Sequence, residues 1–244
     1  MHRIWPAPVS GPLSDSDLIA GYAPADRSQP WLRVNFVSSA DGAVTLDGHS
    51  EGLSGAADKR VFGILRMLCD VLLVGAGTVR DESYGPLRLD AKRREWRRAA
   101  GLPEYPTLAV VSHRLNLDPA HPALAEAPVR PIVITHGGAP AERRAALQSV
   151  ADVVVAGETE VDVVAARRLL EERGHRQVLC EGGPQLFGAL LAADQVDELC
   201  LTLSPLLAGP GAGRIVSGSP TPPRRMRLAQ VLEADGNLML RYTR

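Results

Sequence analysis

The chain has 244 residues, 45% of them hydrophobic and 23% charged, with a net charge of −1. That length can bury a large core without disulfides or a structural metal, and the near-zero charge lacks the basic excess of a nucleic-acid binder. Aromatic residues make up only 4%, so the core must be aliphatic, which suits a mostly parallel sheet with helices on both faces.

Residues 1–30 are rich in Pro, Gly, Ser and Asp and read as a surface arm. Met1 to Pro12 has no basic segment followed by a long apolar stretch, so no secretory signal is expected. Runs such as Val71–Val74 and Val153–Ala156 are too short to cross a bilayer. A soluble protein with no membrane partner is expected. Cys69, Cys180 and Cys200 are widely spaced, without a Cys-x-x-Cys pair or zinc-ligand spacing. They read as reduced core thiols in a cytoplasmic protein, and no metal is expected.

From Trp31 onward strands and helices alternate. Leu32–Val37 alternates as a strand, and Ala43–Leu46 is expected to continue as another after the Asp41-Gly42 turn. Val61, Ile64, Leu65 and Leu68 mark one face of a helix over 56–68. Short buried strands follow at 71–74, 108–111, 132–134 and 153–155, with a helix over 141–150 between the last two. The basic run Lys92–Arg98 reads as a charged helix anchored to the body by Trp96. Thr159, with Asp162 three residues later, predicts the cap of a helix carrying Val161, Val164, Ala165 and Leu169. A strand at 177–180, a helix at 185–193 and a strand at 198–203 come next. Arg225–Leu232 and Leu238–Tyr242, joined by Asp235-Gly236-Asn237, form a hairpin. This order predicts one domain over 31–244, with a mostly parallel sheet and right-handed crossovers.

Two glycine turns carry the chemistry. Glu181-Gly182-Gly183-Pro184-Gln185-Leu186-Phe187 leaves a strand and opens a helix, where backbone can approach a ligand and free amides can receive a pyrophosphate. Val74-Gly75-Ala76-Gly77-Thr78-Val79-Arg80 is a second such switch, without the third glycine of a dinucleotide fingerprint. In a parallel sheet both turns lie on the edge where ligands bind.

Together with Val34-Asn35-Phe36-Val37-Ser38-Ser39-Ala40-Asp41-Gly42 and Leu203-Ser204-Pro205-Leu206-Leu207-Ala208-Gly209, these motifs resemble the reductase domain of the bifunctional riboflavin-biosynthesis deaminase/reductases and its stand-alone relatives. The likeness runs from about residue 31 to the end. It implies an α/β, dihydrofolate-reductase-like three-layer fold: a mostly parallel central sheet, helices on both faces and a C-terminal antiparallel hairpin. It also implies NADPH as cofactor, a homodimer with the C-terminal strands at its interface, and reduction of a ribosylamino-pyrimidine phosphate to the ribitylamino form. A pterin or dihydrofolate reductase and a non-catalytic NADPH-binding sensor are the alternatives.

On the same resemblance, Val37, Gly52, Gly75, Thr78, Glu82, Gly182, Gly183, Pro184, Gln185, Leu186 and Phe187 would bind the cofactor, with Gly183 to Ala189 surrounding its pyrophosphate. Ser50, Arg66 and Arg88 would hold the substrate and its phosphate, with Glu181 facing it. Ser112-His113-Arg114 would sit by the 2′-phosphate, where a hydroxyl and a guanidinium suit a dianion. Asp41 and Glu181 are the candidate proton donors. The segment Glu82-Ser83-Tyr84-Gly85-Pro86 is longer than the short Asp-x-Pro of many relatives. No deaminase signature, His-x-Glu with a later Pro-Cys-x-x-Cys, is present.

Overall fold

The computed structural model describes residues 1–8, 10–82 and 84–244. Its strands are β1 (His2–Trp5), β2 (Trp31–Ser39), β3 (Val71–Gly75), β4 (Thr107–Val111), β5 (Ile132–Thr135), β6 (Asp152–Val155), β7 (Gln177–Cys180), β8 (Glu198–Ser204), β9 (Arg227–Ala234) and β10 (Asn237–Thr243). They form one sheet in the order β1-β9-β10-β8-β2-β7-β3-β4-β5-β6. From β8 to β6 every pair is parallel, while β8–β10, β10–β9 and β9–β1 are antiparallel. The helices are α1 (Asp15–Tyr22), α2 (Ala56–Leu68), α3 (Ala76–Asp81), α4 (Ala91–Ala99), α5 (Pro122–Ala125), α6 (Ala141–Leu147), α7 (Val163–Glu172) and α8 (Pro184–Ala192).

Alternation along the strands builds the layers. Leu72, Val74, Leu108, Val110 and Val133 face one way, against apolar residues of α1, α2 and α6 such as Leu18, Leu65 and Leu147. Val71, Leu73, Ala109, Ile132 and Ile134 face the other way, against Ala166 and Leu170 of α7 and Leu186 and Leu190 of α8. Both faces of the parallel strands are therefore dry, which is why they read as continuous apolar runs. The three cysteines are free and buried, and burial pushes the Cys69 and Cys180 thiols up to about 12.

Several expectations change. Residues 1–30, expected as a surface arm, carry a strand and a helix. β1 completes the antiparallel edge against β9, and α1 buries Leu18 and Tyr22 at 0% and 1% exposure. Residues 43–46 do not form a strand; Leu46 makes only an isolated bridge to His49 across the Asp47-Gly48 turn. Both edges of β2 are already taken, by β7 and β8, so no hairpin partner can pair there. Helix α7 starts later than Thr159 predicts, because Asp162 is the cap: its carboxylate accepts from the Val164 and Ala165 amides.

Three cations of the basic run are paired in place. Lys92 pairs with Asp15, Arg93 with Asp90 and Arg94 with Glu104. Arg97 is fully buried and donates to the Met67, Cys69 and Pro103 carbonyls at 2.8, 2.6 and 2.6 Å. It thus holds α4 to the C-terminal end of α2. A second buried node sits at the start of β8. Glu198, with no exposure, lies 2.8 Å from both Arg33 and Arg241. Burial alone would raise its carboxyl, but the two guanidiniums outweigh that and hold it below the usual range.

Candidate functional site

The C-terminal ends of β7 and β3 are neighbours, and their glycine turns clasp each other. The Gly75 amide donates to the Gly182 carbonyl at 2.7 Å, and the Glu181 amide to the Leu73 carbonyl at 3.0 Å. A Cβ on Gly182 would lie 2.7 Å from Phe36 Cζ, at a φ of +87° that already favours glycine. A Cβ on Gly183 would lie 3.1 Å from Thr78 Oγ1, and one on Gly75 3.4 Å from the Gly183 nitrogen. These glycines let two strand-to-helix turns meet with bare backbone at the edge.

The clasp opens both α3 and α8, capped by Gly75 and Gly183, and neither has a side-chain cap hydrogen bond among the described residues. Pro184 takes the first position of α8, where a missing N–H costs nothing. Leu186 and Phe187 are buried, Phe187 stacking on Phe36 at 5.4 Å, so only their backbone faces the edge. Gln185 is exposed.

On the other side of β7, Val37 lies near the C-terminal end of β2, half-buried and paired with Thr202 of β8. Asp41 follows at the surface. Its carboxylate accepts from the Ser39 hydroxyl and from the Ala208 and Gly209 amides, the latter two at 3.1 and 2.8 Å. Those bonds, Ser39 foremost, hold its carboxyl down to about 2. An acid that stays ionised at neutral pH is a poor proton donor. In the structure Asp41, expected as a proton donor, holds the backbone of Ala208 and Gly209.

Glu181 and Arg66 meet in a bidentate pair, Nε–Oε1 at 2.7 Å and Nη2–Oε2 at 2.6 Å, with side chains 4% and 21% exposed. The Tyr84 hydroxyl accepts from Arg66 Nη2 at 2.7 Å and donates to Glu181 Oε2. The Arg66 guanidinium also lies over the Phe62 ring, 4.1 Å from its centroid, and 5.3 Å from that of Tyr84. Burial alone would lower the Arg66 guanidinium, but Glu181 prevails and raises it; burial and the Glu181 charge push the Tyr84 phenol well up. Both therefore keep their protons. Arg66 Nη1 makes no hydrogen bond among the described residues, so it is the nitrogen left for an anionic group.

The expected substrate and cofactor residues are regrouped. Ser50 and Glu82, assigned to opposite partners, bond each other: the Ser50 amide and hydroxyl donate to the Glu82 carboxylate, the hydroxyl at 3.0 Å. Gly52, in the short 3-10 turn Glu51–Leu53, packs against Leu46 and is exposed. Arg88 is exposed and its guanidinium reaches the Glu126 carbonyl at 3.3 Å, outside the Arg66–Glu181–Tyr84 cluster. Ser83 lies outside the described residues. At the end of β4, Ser112 is buried at 3% exposure while His113 and Arg114 are exposed. Tyr84 and Phe36 were not singled out as site residues from the sequence. Only Tyr84 carried a signal, as the aromatic residue of an unusually long loop.

A family model described as the RibD C-terminal domain matches residues 30–240. The chain belongs to that family. Among curated relatives, the 2,5-diamino-6-ribosylamino-4(3H)-pyrimidinone 5′-phosphate reductase of Archaeoglobus fulgidus is 29% identical over 182 residues, 74% of this chain and 83% of the relative. The protein of the same name from Methanothermobacter thermautotrophicus is 28% identical over 181 residues, 74% and 80% of the two chains. Among solved structures, a pyrimidine reductase-like protein of Corynebacterium diphtheriae superposes with a TM-score of 0.85 at 26% identity, over 95% of this chain and 98% of that one. The Acinetobacter baumannii RibD structure, at 19% identity and a TM-score of 0.68, covers 88% of this chain and 58% of its own, and speaks for the fold alone. The expected α/β architecture of this family, parallel sheet and antiparallel C-terminal strands included, is the one observed.

Proposed function

We propose that this chain is an NADPH-dependent reductase that converts a ribosylamino-pyrimidine 5′-phosphate to its ribitylamino form. The observation carrying the proposal is the glycine clasp between the β3 and β7 ends, in a chain matched nearly end to end by a reductase family. The residues present fit a dinucleotide. Among the described residues the amides at the start of α8 are free of side-chain caps, Gly182 and Gly183 leave no room for a side chain against Phe36 and Thr78, so the turn is bare backbone, and a helix N-terminus favours a pyrophosphate.

In this reading the N–H groups of Gly183, Gln185 and Leu186 hold the pyrophosphate, with Thr78 beside them. Ser112 and Arg114 receive the 2′-phosphate, and Val37 backs the nicotinamide end. When bound, NADPH supplies the hydride. The chain's own work is to orient the partners and exclude water. Arg66, locked by Glu181 and packed against Phe62, offers one charged N–H direction to the substrate from a fixed place. Tyr84, still protonated at working pH, offers a neutral hydroxyl beside it. Glu181, saturated by Arg66 and Tyr84, orients Arg66 rather than delivering a proton.

NADPH oxidation measured separately with the ribosylamino-pyrimidine 5′-phosphate and with dihydrofolate tests the proposal. Faster turnover of the pyrimidine is expected. A preference for dihydrofolate overturns the substrate assignment, and NADPH binding without oxidation by either compound overturns the enzyme assignment.

A further inference from the structure

Helix α2 carries one carboxylate that the chemistry above does not use. Asp58 is 5% exposed and forms no ion pair among the described residues. The cations of the same helix are engaged elsewhere, Lys59 with Glu51, Arg60 with Asp15 and Arg66 with Glu181. The Ser54 hydroxyl donates to Asp58 Oδ2, while Oδ1 receives no hydrogen bond among the described residues. Across the start of the helix, Asn237 packs against Gly55. Its Nδ2 is given to the Ala234 and Asp235 carbonyls, and its Oδ1 is itself without a partner among the described residues. Buried carboxylates are ordinarily paired or hydrogen-bonded on both oxygens. Here an acceptor is fixed in place and no donor meets it.

Asp58 stands on the ligand side of α2. Val61, Ile64, Leu65 and Leu68 turn into the core under the helix. Arg60 reaches Asp15 of α1, and Gly63 lies against Arg93 of α4. Asp58, Phe62 and Arg66 follow one another at intervals of four and share the remaining flank. Arg66 shows where that flank faces, because its guanidinium lies over Phe62 and meets Glu181 of the glycine clasp. Eight helical residues set the Asp58 and Arg66 backbones about 12 Å apart. A ribosylamino-pyrimidine 5′-phosphate has a comparable reach from ring edge to phosphate.

We propose that Asp58 is the specificity-determining residue for the pyrimidine ring, its carboxylate accepting from the 2-amino group and N3–H of a 2-amino-4-oxopyrimidine while Arg66 takes the anionic end. This rests on the pyrimidine reductase reading and narrows its substrate to the form that has not been deaminated. An ionised carboxylate only accepts, so it complements two adjacent ring donors. Oδ1 is open, and Oδ2 keeps a second lone pair beside its bond from Ser54, which fixes the plane of the group. The deaminated ring, a uracil, instead sets its C2 carbonyl against the carboxylate, and acceptor faces acceptor. The cations of α2 are held by other carboxylates, so nothing on the helix offsets that repulsion.

Calorimetric titration and NADPH oxidation, each with the 2-amino and the 2-oxo ribosylamino-pyrimidine 5′-phosphate, test this on the full chain. The unaltered chain prefers the 2-amino compound by about a hundredfold in Kd and in kcat/KM, the worth of a charge-assisted hydrogen bond. Asp58→Asn keeps an oxygen for Ser54 and sets a donor beside an acceptor, the complement of the uracil edge, so the preference disappears or reverses. Asp58→Glu, which still only accepts, retains its direction. A merely structural role would weaken both compounds alike in every variant. Should Asp58→Asn not fold, the preference of the unaltered chain and of Asp58→Glu carries the test. Equal handling of the two compounds by the unaltered chain, or an Asp58→Asn chain that keeps the 2-amino preference, overturns the proposal. A 2-amino preference in binding without NADPH oxidation rejects the reductase reading and leaves the role of Asp58 standing, whereas binding of neither compound rejects both.

Discussion

Asp41 and Glu181 are both carboxylates at strand ends, and their surroundings give them different work. Asp41 sits at the surface with the Ser39 hydroxyl and two backbone amides directed at it, and its carboxyl is held at about 2. Its folded value is depressed, so whatever stability it contributes is fully present above the ordinary carboxylate range and is lost as pH falls through about 2. Near neutral pH it is always ionised. Asp41→Asn should accordingly retain most turnover, with an unchanged acid limb of the pH–rate profile, and lose order in the 207–209 loop. A fall of about a hundredfold in kcat, the scale of a lost general acid, would return Asp41 to the chemistry. Glu181 is instead 4% exposed and ties Arg66 and Tyr84 into one unit. The residue types at 41, 66 and 181 were legible in the chain as site candidates, but their partners were not: Arg66 and Glu181 are 115 positions apart.

Elements show the same division. The helices and strands of the parallel half follow the apolar periodicity closely, because a strand buried on both faces and a helix with one apolar stripe each leave a local pattern. Boundaries set by a single hydrogen bond were less visible, as at Asp162, whose carboxylate starts α7 after the position suggested by Thr159. Helix α8 carries a prediction of this kind. Gly188 lies within it, where alanine would ordinarily stabilise by roughly 1 kcal/mol. A Cβ there would stand 1.9 Å from the Ser217 carbonyl oxygen, and the Ser217 amide is bonded to the Pro184 carbonyl at 3.0 Å. The clash outweighs the propensity, so Gly188→Ala should lower the melting temperature and weaken NADPH binding by displacing the 215–217 segment from the start of α8. An increase in melting temperature with unchanged NADPH affinity would show that this segment moves aside freely.

Across the whole molecule, the N-terminal thirty residues decide whether residues 31–244 are independent. They supply an edge strand and a helix with two fully buried side chains, and the Tyr22 carbonyl receives the buried Arg33 guanidinium at 2.7 Å. Without them Arg33 and Arg241 lose carbonyl partners and the apolar face of α2 is opened to water. A chain beginning at residue 31 should be expressed as insoluble or unfolded protein. Circular dichroism and thermal melting check this, and a cooperative melt close to that of the full chain would restore the surface-arm expectation.

The sequence alone determined the alternation of strands and helices, the two glycine turns on one sheet edge and the family to which the chain belongs. Each of these is written in the spacing of residues close together along the chain, where backbone sterics and burial periodicity act. The tertiary structure alone decided that β7 inserts between β2 and β3, which brings the two glycine turns into contact. It also decided that Glu181 takes Arg66 and that Glu82 takes Ser50. Charges and hydrogen bonds act over a few ångströms in space. Which groups come that close is set by the order of strands in the sheet, and no local pattern of residues records that order.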